Sequence, residues 1–148
     1  MSIFDNDDEF YMQQALREAR AAAEEDEVPI GAVVVAGDRV IARAHNQTEL
    51  LHDVTAHAEM LAFTAASEAL GGKYMNDCIL YVTVEPCPMC AGAAGWAQLG
   101  RIVYGAPDPR RGFSLLSGPV LHPRTTVTAG VLRDECEELM KAFFKKKR

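Results

Sequence analysis

The stretch Cys78-Ile79-Leu80-Tyr81-Val82-Thr83-Val84-Glu85-Pro86-Cys87-Pro88-Met89-Cys90 carries more information than any other part of this chain. Its residues from Cys78 to Val84 are β-branched, aromatic or apolar, which is the composition of a central strand. The strand leads directly into Glu85-Pro86-Cys87, and a helix starting near Pro88 suits a proline, whose missing N–H has no partner to lose there. Some thirty residues earlier stands Thr55-Ala56-His57-Ala58-Glu59. A Cys-x-x-Cys pair, one upstream histidine and a glutamate two places beyond it are the parts of a zinc site with a proton carrier beside it.

Working outward, Thr55 can cap a helix from Ala56 to about Leu70, ended by Gly71-Gly72. That helix is rich in alanine and apolar nearly all round, which predicts burial on more than one side. The helix from Pro88 is expected to run to Leu99, with Gly100 as its terminator. Its body, Ala91-Gly92-Ala93-Ala94-Gly95, holds interior glycines that each cost about 1 kcal/mol against alanine. Small residues suit close backbone approach. The two helices are therefore expected to pack side by side, so that their first turns share an ion whose ligand bonds are only about 2.0–2.3 Å long.

The remaining elements complete an α/β chain. Met12, Ala15, Leu16, Ala19, Ala22 and Ala23 have helical spacing over about Glu9 to Ala23, and the acidic run Glu24 to Glu27 together with Pro29 ends that helix. Ile30 to Val35, the turn Ala36-Gly37-Asp38 and Val40 to Ala44 read as an antiparallel hairpin. Arg101 to Tyr104 and Thr125 to Thr128 read as two more strands. The roughly twenty residues between them are long enough for a crossover, so the last two strands are expected to be parallel. Phe113, Leu115 and Leu116 suggest a short helical piece inside it, and Leu132, Cys136, Leu139, Met140 and Phe143 mark the buried face of a final helix. The expectation is one α/β domain over residues 1–148, a five-stranded mixed sheet with helices on both faces.

A net charge of −6 argues against a protein that coats nucleic acid indiscriminately. The charges are segregated, however: acidic residues crowd the first part of the chain, and Lys141, Lys145, Lys146, Lys147 and Arg148 close it. The acidic start has no apolar run behind it and no segment has the length of a membrane span, which points to a cytoplasmic protein without membrane attachment. In that setting the 4 cysteines read as ligands or core residues rather than disulfide partners. Both ligand groups fall at helix N-termini, where the positive dipole end favours the thiolate that binds metal. Three protein ligands, His57, Cys87 and Cys90, leave one position for water, the mark of a catalytic zinc rather than a structural one. Cys78 is held off by the length of its strand and Cys136 belongs to an apolar stripe, so both read as core. Within a regular helix His57 and Glu59 would not share a face, but the extended backbone of a cap allows both to look toward one ion.

His-x-Glu followed by Pro-Cys-x-x-Cys resembles the cytidine-deaminase-like zinc deaminases. Val28-Pro29-Ile30-Gly31-Ala32-Val33, His45-Asn46, Tyr81 to Cys87, Met89 to Ala93, Ile102 to Ala106 and Asp134-Glu135-Cys136 extend that resemblance to the bacterial tRNA adenosine deaminases along nearly the whole chain. The resemblance implies a three-layer α/β/α fold, one zinc ion per subunit, a homodimer, and hydrolytic deamination of adenosine to inosine at the wobble position of a tRNA anticodon stem-loop. It casts Glu59 as the proton carrier between water and the purine ring. Asn46 would hydrogen-bond the purine, the N–H of Ala58 would contact the oxygen that replaces the amine, and Asp108 would sit beside the ribose. The terminal cations would then track phosphates, making activity fall as salt rises. Two departures, Pro107 in place of a basic residue and a shortened Gly112–Pro123 segment, bear on the RNA contacts and not on the zinc chemistry. Two other readings share the motif: a deaminase of free guanine, cytidine or a nucleotide, and a binding module whose zinc is closed by His45, His52, His122 or Cys136.

Overall fold

A computed structural model describes residues 3–147, so the tail residue Arg148 lies outside the described residues. The elements follow in the order α1 (Ile3–Glu24), β1 (Gly31–Ala36), β2 (Arg39–His45), α2 (Ala58–Leu70), β3 (Cys78–Val84), α3 (Pro88–Trp96), β4 (Arg101–Ala106), β5 (Thr126–Ala129) and α4 (Arg133–Lys146), with one 3-10 turn at Phe113–Leu115. No helix among the described residues is long and apolar enough to cross a membrane.

The strands form one sheet in the order β2-β1-β3-β4-β5. β1 pairs antiparallel with β2 and β3, whereas β3–β4 and β4–β5 are parallel. The expected parallel pairing of the last two strands is present, and the 3-10 turn falls on the residues expected for the short helical piece. Alternation along each strand feeds two cores. Ala32, Val34, Leu80, Val82, Ile102 and Tyr104 face α2 and α3, while Val33, Val35, Tyr81 and Val103 face α1 and α4. The result is the three-layer α/β/α arrangement with a five-stranded mixed sheet.

Several local expectations change in the structure. α1 begins well before Glu9, because Asp7 and Asp8 lie in the early turns, where negative charge suits the helix dipole. Asp8 is buried and receives Tyr81 Oη at 2.9 Å and the Arg101 guanidinium at 2.9 and 2.7 Å, tying α1 to β3 and β4. Thr55 does not cap α2: it donates its N–H and hydroxyl to Asp53 Oδ1, and His57 is the N-cap residue with φ −73 and ψ 153. α2 is fully buried on one face, through Ala58, Glu59, Ala62, Phe63 and Ala66, with Met60 and Leu61 half-buried and Ala65, Ala69 and Leu70 exposed.

α3 ends early because Gln98 takes the left-handed conformation, φ 54, and the Leu99 N–H closes back on Ala94 O. Gly100 instead allows close approach, since a Cβ there would run into the carbonyls of Asn76 and Cys78. The interior glycines of α3 also serve another purpose than expected. Gly95 admits the backbone of Val120 and Gly92 faces open space, so neither is what brings α3 against α2.

Candidate active site

The two helix starts expected to share an ion do converge. His57 ends its loop in extended backbone and caps α2, and Cys87 leaves β3 in the same conformation, φ −74 and ψ 171, to cap α3 with Pro88 behind it. Cys90 lies in the first turn of α3. The Nδ1 of His57 is 3.6 Å from Cys87 Sγ and 3.5 Å from Cys90 Sγ. Tetrahedral zinc with bonds of 2.0–2.1 Å to nitrogen and 2.3 Å to sulfur requires N···S separations of about 3.5 Å. The donors therefore already stand at ion-sharing distance.

Electrostatics lead to the same conclusion. Hydrogen bonding from Cys90 and then His57 outweighs burial and holds the Cys87 thiol down at about 4, whereas that same hydrogen bond, followed by burial, pushes Cys90 far up. Two thiols and an imidazole converging on one point are the donor set that suits a soft divalent metal. His57, Cys87 and Cys90 form the group of potential metal ligands found among the described residues. The four donors that could have closed the site are elsewhere engaged or placed: His45 binds Glu18 and Glu25, His122 accepts the Arg124 N–H, Cys136 lies in the core under α4, and His52 is exposed.

Glu59 is 4% exposed in the first turn of α2. Burial, opposed by its own backbone hydrogen bond and the imidazole, pushes its carboxyl up to about 7. A carboxyl poised there both takes and gives a proton near neutral pH. It opens on a cleft of roughly 390 Å³, whose lining includes Asn46, His57, Ala58, Glu59, Cys87 and Asp108, with Cys90 buried behind. That volume lies within the range of small-molecule sites, about 300–1,000 Å³. All seven residues singled out in the sequence are thus brought to one place. Asn46 is 6% exposed and lines this cleft.

The cleft also contains residues that sequence reasoning passed over. Glu85, to which the sequence pattern assigns no role, lines the cleft, and Met140 and Phe144, four apart on α4, form part of the wall. The signal for the last two was present as apolar residues at helical spacing among lysines. Glu27, read only as helix-ending charge, is 1% exposed and accepts the N–H groups of Glu49 and Leu50 at 3.1 and 2.8 Å, shaping the loop that leads to His57.

His45 precedes Asn46 and bridges two carboxylates, Nδ1 to Glu18 at 3.1 Å and Nε2 to Glu25 at 3.0 Å. Burial lowers its pKa, but hydrogen bonds to Glu18 and Glu25 outweigh this and hold it above the ordinary value. A raised folded pKa means that this stabilisation is complete below about pH 6.5 and is lost as pH rises through the folded value. Urea unfolding across that window is therefore expected to show stability falling more steeply in the wild type than in His45→Gln. Equal slopes would remove His45 as the source.

The chain matches the MafB19-like deaminase family over residues 6–148. It is 47% identical over 143 residues to a tRNA-specific adenosine deaminase of Agrobacterium fabrum, covering 93% of this chain and 94% of that one. The chain belongs to the tRNA-specific adenosine deaminase family. A solved structure from a study of A-to-I editing by tRNA:A34 deaminases at the wobble position of transfer RNA superposes with a TM-score of 0.83 at 47% identity, over 88% of this chain and 98% of that one. A guanine deaminase from Nitrosomonas europaea superposes at 0.78 with 27% identity, over 91% and 83%. Members of the family cleave an exocyclic C–N bond by hydrolysis, and this chain is such an enzyme.

Proposed function

We propose that the chain, as a single deaminase domain in the cytoplasm, converts adenosine to inosine at the wobble position of tRNA, with one zinc ion per subunit held by His57, Cys87 and Cys90. The observation that carries this reading is the coincidence of three metal donors, a buried carboxyl and an open cleft in a chain so similar to tRNA-specific adenosine deaminases. Zinc in such a site supplies Lewis-acid activation of water, bringing its acidity close to neutral pH.

The chain's own groups do the rest. Glu59 takes the proton of the attacking water, delivers it to N1 of the adenine ring and assists the departure of ammonia; atoms balance as adenosine plus water giving inosine plus ammonia. The N–H of Ala58, in the first turn of α2, is free to donate to the oxygen that replaces the amine. Asn46 orients the purine and Asp108 the ribose. Arg111 on the cleft wall and the α4 cations Lys141, Lys145 and Lys146 offer charge to the phosphates of a stem-loop. A homodimer is supported by apolar side chains that the outer layer leaves to solvent, Trp96 at the end of α3 above all.

The guanine deaminase likeness favours one competing reading, a free purine base as substrate. Incubation with an adenosine-containing anticodon stem-loop, and separately with guanine and with cytidine, separates the two. Inosine in the stem-loop alone is the expected result. Turnover of guanine without turnover of the stem-loop would overturn the tRNA reading.

A further inference from the structure

Glu85 takes no part in the metal group or the proton path, yet its carboxyl is 4% exposed and lines the same cleft. Its Oε1 accepts the N–H of Asp108 at 3.0 Å and its Oε2 accepts the N–H of Ser114 at 2.9 Å. The loop between them turns back on itself through Gly112 N–H to Asp108 O at 2.9 Å, and Phe113 N–H reaches Pro86 O at 2.9 Å. At Gly112 any Cβ would press into the Glu85 carboxyl, so glycine lets the loop close over that group. Asp108 continues the pattern outward, its Oδ1 accepting the N–H groups of Arg110 and Arg111 at 3.0 Å each. Among the described residues no cation pairs with Glu85. Its charge is met by backbone N–H groups, and charge-assisted bonds of this kind are roughly twice as strong as neutral ones.

We propose that Glu85 is a positioning residue, the buried template on which the Asp108–Ser114 loop closes so that Asp108 meets the ribose side of the substrate. This rests on the reading above that Asp108 contacts the substrate. The template needs two acceptor oxygens. Glutamine has one oxygen and one amide nitrogen, so Glu85→Gln satisfies one N–H and sets a donor against the other.

The test compares wild type with Glu85→Gln, Gly112→Ala, Asp108→Ala and the double variant Glu85→Gln/Asp108→Ala on an adenosine-containing stem-loop. Zinc content and amide hydrogen exchange are measured alongside. Glu85→Gln is expected to keep its zinc, to speed exchange at the amides of Asp108 and Ser114, and to raise KM on the order of tenfold with kcat changed less than about threefold. The double variant is expected to be no worse than Asp108→Ala, because both changes remove one interaction. If Glu85→Gln fails to fold, Gly112→Ala is the deciding variant, since it crowds the carboxylate without removing it and carries the same expected KM defect. Loss of zinc or kcat with KM unchanged would overturn the proposal, as would a double defect equal to the product of the single ones. A raised KM in Asp108→Ala with none in Glu85→Gln overturns the proposal alone. An unchanged KM in Asp108→Ala overturns the ribose reading and the proposal with it.

Discussion

Glu59→Ala is expected to retain its zinc and to lose at least about 10²-fold in kcat on an adenosine-containing stem-loop, the usual worth of a positioned general acid–base group. Retention follows because His57, Cys87 and Cys90 form the group able to hold the metal, and the carboxyl is not part of it. The loss follows from position. Glu59 is buried in the first turn of α2, two residues past the histidine that caps the helix, and its carboxyl opens on the cleft. Burial holds it up to about 7, whereas an exposed glutamate near the ordinary value of about 4.3 would be a poor proton donor at neutral pH. Metal analysis and single-turnover kinetics on the purified variant check both halves. Full activity in Glu59→Ala would sink its assignment as proton carrier.

Cys90→Ala is expected to abolish both metal retention and measurable deamination. Two candidate donors remain in that variant, His57 and Cys87, fewer than the three that a catalytic zinc takes from protein. Cys90 is buried, so the substitution also leaves a small void and lowers stability for a reason unrelated to metal. The discriminating measurement is therefore the dependence of unfolding on zinc concentration rather than stability itself. Above the dissociation constant, each tenfold rise in free zinc adds about 1.4 kcal/mol to a chain that binds it only when folded. The wild type is expected to show that rise and Cys90→Ala a flat response. A zinc-dependent stability in Cys90→Ala equal to that of the wild type would exclude Cys90 as a ligand.

These effects belong to residues legible from spacing, because metal chemistry constrains residue type and local backbone together. A thiolate pair three apart at a helix start, and a histidine two before a glutamate at another, have few other uses in combination. The strands were legible for a similar reason: runs such as Cys78–Val84 and Gly31–Ala36 are apolar on both faces, and only a sheet covered on both sides uses them. Charged residues with buried roles were not legible. Asp8, Glu27 and Glu85 look in sequence like any solvated carboxylate, and each is fixed by donors 22 to 93 residues away. Helix ends were misread where a non-glycine residue takes the left-handed conformation, as at Gln98, because that choice depends on what the following residues pack against.

By itself, the amino-acid sequence determined the run of elements, the family, and which residues are the candidates for metal donor and proton carrier, since all of these depend on local period and on chemistry within a few residues. The tertiary structure alone decided that His45 is taken up by Glu18 and Glu25, that Glu27 shapes the loop leading to His57, and that Glu85 gathers the Asp108 loop. Burial and long-range hydrogen bonding are properties of the packed chain, and no single segment contains them.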